Sequence, residues 1–196
     1  MISKIDICNM ALAQLGQEPI ASLEQEEERA RRCRLFYDPV RQEVLRTHYW
    51  GFALGRAKLA LLTQPQAANN GEYVYAYPQD CLFVRKVYAK GSEKHPVCFQ
   101  EVYAQDIQAR TIVCALEHAQ VEYTRDVRDE ALFDPAFAKA FSLALAADLA
   151  MTLSADNMLA QRILQKYTLA LDEARRSNMS EGFSLHQPES TFVEHR

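Results

Sequence analysis

Residues 133–150 read Phe-Asp-Pro-Ala-Phe-Ala-Lys-Ala-Phe-Ser-Leu-Ala-Leu-Ala-Ala-Asp-Leu-Ala, an alanine-rich and mostly apolar segment. Asp134 is a good helix N-cap and Pro135 suits the first helical position, so a helix is predicted to begin here. Its apolar side chains cover almost the whole circumference, which is typical of a helix buried in the centre of a bundle. Asp148 lies inside this helix, and a carboxylate there is expected to need an arginine or backbone donors as partners.

Two helices are predicted before this stretch. The first follows a weak capping box of Ser3 and Asp6, and its apolar stripe ends at Gly16. The second has an apolar stripe over positions 30–44 that keeps its phase across Asp38-Pro39. Because proline removes a helical hydrogen bond, this phase predicts a kinked helix or two nearly coaxial helices. Its polar face is expected to carry Arg31, Arg34, Arg41 and Gln42.

A last helix is predicted after the central one, with Ser154 as its cap and its end near Asn178. Its apolar stripe is expected to consist of Ala160, Ile163, Leu164, Tyr167, Leu171 and Ala174. Residues 179–196 show no periodicity and include the apolar pair Phe192 and Val193. They are expected to form a mobile tail that becomes ordered on a partner.

The middle of the chain has the composition of short strands separated by turn residues. The predicted strands are 56–62, 73–77, 82–88, 97–101, 110–116 and 120–125. This order of elements predicts an α+β fold, in which a helical bundle built from N- and C-terminal helices carries an inserted antiparallel β region. The predicted parts are the first half of the bundle (1–55), the β insertion (56–126), the second half of the bundle (127–178) and a flexible C-terminal tail (179–196).

The overall composition excludes several classes of protein. The net charge is −4 over 196 residues, whereas a dedicated nucleic-acid binder carries a basic excess. No apolar run approaches the ~20 residues of a membrane span, and the first residues lack the apolar region of a signal peptide. We therefore expect a protein made in the cytoplasm with no membrane association.

The cysteines are widely spaced and do not form Cys-x-x-Cys motifs. They are expected to be reduced and buried, as small apolar residues, rather than to form disulfides or a zinc site. The five positions are Cys8, Cys33, Cys81, Cys98 and Cys114.

No catalytic constellation is recognisable. The phosphate-binding glycine loop, the dinucleotide fingerprint and the nucleophile elbow are all absent from the sequence. Of the five histidines, His95 and His118 are expected in exposed turns, and His48 is expected to pack at a helix end. His186 and His195 lie in no motif either, and Asp80, Asp106 and Asp126 are expected to serve turns. We expect no enzyme activity, no cofactor and no metal.

The most conspicuous charged segment is Glu-Gln-Glu-Glu-Glu-Arg-Ala-Arg-Arg-Cys-Arg at residues 24–34. Glu27 and Arg31, like Glu28 and Arg32, are four residues apart with the acid first, which favours ion pairs on a solvated helix face. Two other interpretations stay open, namely a nucleic-acid patch and a contact with a neighbouring subunit. The basic residues concerned are Arg29, Arg31, Arg32 and Arg34.

Several segments in combination resemble a family of bacteriophage and prophage head-to-tail connectors, the tail tubular or adaptor proteins of short-tailed phages. They are Asn-Met-Ala-Leu-Ala-Gln-Leu-Gly (9–16) with Pro19-Ile20, Cys-Arg-Leu-Phe-Tyr-Asp-Pro-Val-Arg (33–41) with Glu-Val-Leu-Arg (43–46), Trp-Gly-Phe-Ala (50–53), Tyr-Pro-Gln-Asp-Cys-Leu (77–82) and Ala-Leu-Phe-Asp-Pro-Ala-Phe (131–137). The matching pieces run from residue 2 to about 182. The family often has His-Pro-Trp where this chain has His48-Tyr49-Trp50.

The resemblance implies a structural virion protein of the tail or neck, assembled in the host cytoplasm. Such a subunit docks on the portal protein, self-associates there into a ring that is implied to be twelve-fold, and receives the tail nozzle. DNA passes through the ring without specific binding, and the isolated protein could be a monomer. The resemblance carries over no contact residue from the tail; the charged segment and the apolar pair of the tail themselves give the candidate subunit or partner contacts, which are Arg29, Arg31, Arg32, Arg34, Phe192 and Val193.

Two alternatives to a connector stay open on the sequence. One is a DNA-binding or packaging accessory of a phage or prophage that uses the four arginines. The other is a hydrolase that depends on Cys33 and His48.

Overall fold

A computed structural model of the chain describes residues 2–63, 72–154 and 156–181. Within these ranges four α-helices flank a β region: α1 Lys4–Gln14, α2 Glu28–Arg46, α3 Pro135–Leu153 and α4 Asn157–Glu181. Seven strands lie between α2 and α3: β1 Leu54–Lys58, β2 Leu61–Thr63, β3 Tyr73–Ala76, β4 Cys81–Ala89, β5 Phe99–Ala104, β6 Ala109–Cys114 and β7 Ala119–Arg125. The prediction of an α+β fold with helices on both sides of an antiparallel β region is confirmed.

The central helix is α3, because α1, α2 and α4 all pack against it. The Asp134 carboxylate caps α3 by accepting hydrogen bonds from the backbone N–H groups of Ala136 and Phe137, at 2.8 and 3.3 Å. Phe137 is fully buried, and its ring lies edge-on to the ring of Trp50 with centroids 5.0 Å apart. In the described ranges α3 alone is long and apolar enough to cross a membrane, although no apolar segment of that length was predicted from the sequence. The three helices that pack on it account for that composition.

Two predictions about α2 and α3 are corrected by the structure. α2 is one continuous helix with Pro39 in its interior, so the alternative of two coaxial helices is wrong. Asp148 is exposed, because the part of the α3 surface that carries it faces solvent. Partial burial and the nearby Glu43 nevertheless raise the pKa of its carboxyl group, and among the described residues it has no hydrogen bond or ion pair with the expected arginine or backbone donors.

The beginning of α4 also differs from the prediction. Ser154 ends α3, since its backbone N–H donates to the Ala150 carbonyl at 3.0 Å. Asp156 caps α4 instead, and its carboxylate accepts the N–H groups of Met158 and Leu159 at 2.9 and 3.1 Å. The cap of α4 is therefore two residues later than the sequence pattern placed it.

The apolar stripe of α4 is narrower than predicted, and the helix is longer. Ile163, Leu171 and Ala174 are buried, but the side chain of Leu164 is 54% exposed. The helix continues to Glu181, three residues beyond its predicted end. Residues 182–196, including Phe192 and Val193, lie outside the described residues.

The strands form two antiparallel sheets, with the orders β1-β7-β4 and β2-β3-β6-β5. The single strand predicted at 56–62 is wrong: its first part is β1, which pairs with β7, and its last part is β2, which pairs with β3. Leu59 and Ala60 carry the chain from one sheet to the other. The strand predicted at 97–101 begins only at Phe99, and Val97 instead forms an isolated bridge with Val87.

The described residues contain two hydrophobic clusters. The larger one lies among the four helices and includes Trp50 and Ala53. The smaller one lies between the two sheets and consists of Leu59, Tyr75, Val84, Val87, Ile112, Cys114, Ala119, Val121 and Tyr123. The helical part and the β part therefore each have a core, and the polar contacts between them decide how the two parts are joined.

Candidate partner-binding surfaces and the joint between helices and sheets

The four arginines of residues 24–34 lie at the beginning of α2, and each has an acidic partner. Arg32 Nε is 2.6 Å from Glu28 Oε1, so the predicted pair of these two residues is confirmed. Glu27 is the residue before the helix and pairs with Arg29, so the predicted pair of Glu27 and Arg31 is wrong. Arg31 lies 3.6 Å from Glu28 instead.

Arg34 has two weaker partners. Its Nη1 atom is 3.7 Å from the Glu24 carboxylate and donates to the Leu23 carbonyl at 3.4 Å. The whole segment is thus a solvated surface on which acidic and basic groups largely neutralise each other. Such a surface has little of the local basic excess that binding to phosphates requires.

Arg41 is not on the polar face of α2, where it was predicted, because its side chain is only 1% exposed. Its Nη1 atom donates to Asp126 Oδ1 and to the Val127 carbonyl, both at 2.6 Å. Its Nε atom donates to Asp38 Oδ1 at 3.2 Å. Asp126 and Val127 follow directly after β7, so Arg41 joins the inner side of α2 to the end of the three-stranded sheet.

The electrostatic environment of Asp126 fits this role. Partial burial by itself raises the pKa of the carboxyl group, but the guanidinium groups of Arg41 and Arg128 outweigh that effect and hold the pKa below its usual range. Asp126 was predicted to serve a turn only. The sequence signal that could have revealed the buried position of Arg41, the partner of Asp126, is the apolar residue Leu45. Leu45 lies one helical turn beyond Arg41 and is buried, so the buried side of α2 is wider than one stripe.

A second arginine connects β4 to the end of α2. Arg85 Nη2 donates to the carbonyl groups of Arg46 and His48, at 3.0 and 2.7 Å, and its Nε atom donates to Thr124 Oγ1 at 2.8 Å. In the opposite direction, Arg46 Nη1 donates to the Leu82 carbonyl at 2.6 Å. A cation at a helix C-terminus is stabilised by the partial negative charge of the terminal carbonyl groups. The three-stranded sheet is therefore attached to the end of α2 by charge-assisted hydrogen bonds.

The segment after α2 is held by α4. Asn178 accepts the Gly51 N–H at 2.8 Å and donates to the Tyr49 carbonyl at 2.7 Å. His48 packs edge-on against Trp50, as predicted for a histidine at a helix end. Burial and the nearby Arg175 and Arg85 lower the pKa of His48, so its ring stays neutral near pH 7. These contacts join α4 to the segment between α2 and β1.

The other sequence-predicted site residues are scattered. His95 and His118 are in exposed turns, as predicted, and His186 and His195 lie outside the described residues. Cys33 is fully buried in the helical core. It lies fifteen residues before His48 along α2, about 22 Å along a helix, so the structure does not bring this pair together.

The prediction that the cysteines are buried is correct for three of the five. Cys8 and Cys114 are buried like Cys33, but Cys81 is only half-buried and Cys98 is exposed just before the edge strand β5.

Asp80 accepts a hydrogen bond from the Tyr123 hydroxyl at 2.9 Å, and Asp106 lies in the exposed turn between β5 and β6. In the part of the chain that the structure describes, no group of three His, Cys, Asp or Glu side chains could hold a metal ion.

One open groove is formed by α1, α3 and α4 and has a volume of about 540 Å³. Its apolar lining includes Met10 and Leu169, which are 37% and 70% exposed. Lys139 and Lys166 lie at its sides. Sequence reasoning did not predict this groove, because its lining comes from three helices that are far apart in the chain.

No protein-family model matches this chain, and no curated protein matches it.

Replacing Arg41 by methionine removes the buried donors and leaves Asp126 beside an apolar side chain. We expect Arg41→Met to lower the free energy of unfolding by about 3 kcal/mol or more, because breaking a buried ion pair is strongly destabilising. The matched control is Arg31→Met on the same helix, where an exposed ion pair should contribute less than about 1 kcal/mol. Urea unfolding followed by Trp50 fluorescence measures both, and equal midpoints for the two variants would contradict the role of Arg41.

Asp126→Asn should destabilise the protein in a pH-dependent way. Because the folded protein holds the pKa of Asp126 below its usual range, the ionised group contributes stability above the unfolded pKa of about 3.9. That contribution is lost as the pH falls through the lower, folded pKa. The difference in unfolding free energy between the wild type and Asp126→Asn should therefore be largest near pH 7 and shrink below about pH 4. A difference that is constant from about pH 7 to about pH 3 would show that the charge of Asp126 does not matter.

Proposed function

We propose that this protein is a structural head-to-tail connector of a bacteriophage or prophage, which docks on a portal, forms a ring and joins it to the tail. One observation carries the proposal: three of the five segments that resemble the connector family contribute residues to the joint between the helices and the sheets, namely Arg41 with Arg46, Gly51 and Leu82. The resemblance thus extends to the residues that define this architecture.

Three of the segments lie at that joint, and the other two lie at the end of α1 and the beginning of α3. The segment 33–41 contains Arg41, and 50–53 contains Trp50 and the Gly51 N–H that binds Asn178. The segment 77–82 begins β4, where Leu82 accepts a hydrogen bond from Arg46. The segment 131–137 caps α3 at Asp134, and the segment 9–16 ends α1 at Gly16, which has a φ of +66°.

The architecture suits a mechanical link between two partners. A helical unit and a β unit with separate cores are held together by buried or charge-assisted contacts, so a load applied to one is carried to the other. Lateral contacts between identical subunits with a closing rotation generate a ring. The net charge of −4 and the self-neutralised arginine segment fit a channel through which DNA slides without being gripped.

The two alternatives have less support. A DNA-binding accessory would need free cationic groups, whereas Arg29, Arg31 and Arg32 each lie beside a glutamate. A hydrolase would need Cys33 and His48 close to each other, and they lie toward opposite ends of α2. The connector therefore agrees best with the geometry of the described residues.

The purified protein should form ring-shaped complexes when mixed with the portal protein of the same phage, visible by negative-stain electron microscopy. The major capsid protein of the same phage is the control and should give no rings. A monomer in the absence of portal is compatible with the proposal, because assembly can require the portal as a template. Absence of any ring on the portal would rule the connector out.

The same preparation separates the connector from the DNA-binding alternative. A variant with Arg29, Arg31, Arg32 and Arg34 all replaced by glutamate should bind duplex DNA no more weakly than the wild type. Salt-sensitive retention of DNA by the wild type, lost in the variant, would instead favour a DNA-binding accessory.

A further inference from the structure

The groove between α1, α3 and α4 has apolar side chains that a compact protein would normally cover. Met10 of α1 and Leu169 of α4 both line it and are both exposed, Leu169 to 70%. Leu143 of α3 also lines the groove and is itself nearly buried. An exposed apolar surface rimmed by polar groups is typical of a binding site.

The rim of the groove is weakly basic. Lys139 Nζ lies 3.1 Å from Glu173 Oε2, in an ion pair whose side chains are 57% and 66% exposed. Lys166 Nζ donates to Gln14 Oε1, a neutral acceptor, at 3.2 Å. Two lysines face one glutamate here, so the groove favours an apolar segment that carries acidic residues.

The chain itself contains such a segment beyond the end of α4. Phe192 and Val193 are flanked by Glu189 and Glu194, and Pro188 precedes them. Within residues 187–196, Phe192 and Val193 are the large apolar side chains. The segment therefore has the two properties that the groove favours, an apolar pair and acidic neighbours.

Chain geometry allows this segment to reach the groove of its own molecule. Positions 166, 169, 173, 177 and 180 of α4 share one side of the helix, so the helix ends on the side of the groove. From Leu169 to Glu181 the helix rises about 18 Å, whereas the eleven residues from 181 to 192 span up to about 36 Å. Phe183 and Leu185 are too close to the helix end, since four residues span only about 14 Å.

We propose that the groove between α1, α3 and α4 binds residues 189–194 of the same chain, with Phe192 and Val193 against Met10 and Leu169. Glu189 and Glu194 then lie near Lys166 and Lys139. This inference does not depend on the proposed function, because it rests on the groove and on the composition of the segment.

The test uses the full-length protein with Phe192 replaced by the photoreactive amino acid p-benzoylphenylalanine. After irradiation of a dilute sample, mass spectrometry should find crosslinks within one chain to groove residues of α1, α3 or α4. Adding Leu169→Asp should lower the crosslink yield by roughly fivefold or more, because an apolar contact is replaced by a charge. The matched control is Leu164→Asp, another exposed leucine of α4 that lies outside the groove lining, and it should leave the yield unchanged.

A second variant tests the charges. Lys139→Glu together with Lys166→Glu should also lower the yield, and high salt should lower it in the parent protein. Crosslinks that join two chains would overturn the proposal, because they would show that a second copy supplies the segment. Crosslinks outside the groove, or equal yields for Leu169→Asp and Leu164→Asp, would overturn it as well.

Discussion

The buried guanidinium of Arg41 is the interaction on which the arrangement of helices and sheets depends. The apolar side of α2 that packs on α3 also carries Arg41 inward, where it meets Asp126 and the Val127 carbonyl. A charge removed from water is costly unless its donors are satisfied, so this site is stable only when the end of β7 lies at that position. The beginning of the chain between β7 and α3 is thereby held against α2.

The remaining contacts of the joint reinforce this position from two sides. Arg85 of β4 donates to the Arg46 carbonyl at the end of α2, and the Arg46 side chain donates to the Leu82 carbonyl of β4. Asn178 holds the turn after α2 against the end of α4. Each contact involves a backbone group at the end of an element, so the joint fixes positions rather than presenting reactive groups. A joint built in this way holds the three-stranded sheet in a fixed position on the helices.

The parts of the fold that were predictable from sequence are those decided by local patterns. Apolar side chains surround α3 on almost every side, so its central position follows from its own sequence. The apolar stripe of α2 likewise identifies the buried side of that helix. The burial of Arg41 was not predictable, because the residue lies at the edge of that stripe and its partner, Asp126, is 85 residues away. The segment 56–62 was read as one strand because strand propensity does not show at which residue a chain crosses from one sheet to another.

The candidate surfaces, too, were predictable only where a local pattern decides them. The pairing of Glu28 with Arg32 follows from helical spacing, but Glu27 lies outside the helix and pairs differently, which depends on where the helix begins. The groove of α1, α3 and α4 was not predictable, because periodicity describes one helix at a time. Its lining became visible only once the three helices were placed together.

Because Arg41 links α2 to the end of β7, we expect it to make the helical core and the β core unfold as one unit. Native-state hydrogen exchange of the backbone amides in α3 and β7, measured at increasing low concentrations of denaturant, tests it most directly. The opening free energies of α3 and β7 should converge in the wild type and separate in Arg41→Met. Separate opening of the two elements in the wild type, or continued convergence in the variant, would contradict it.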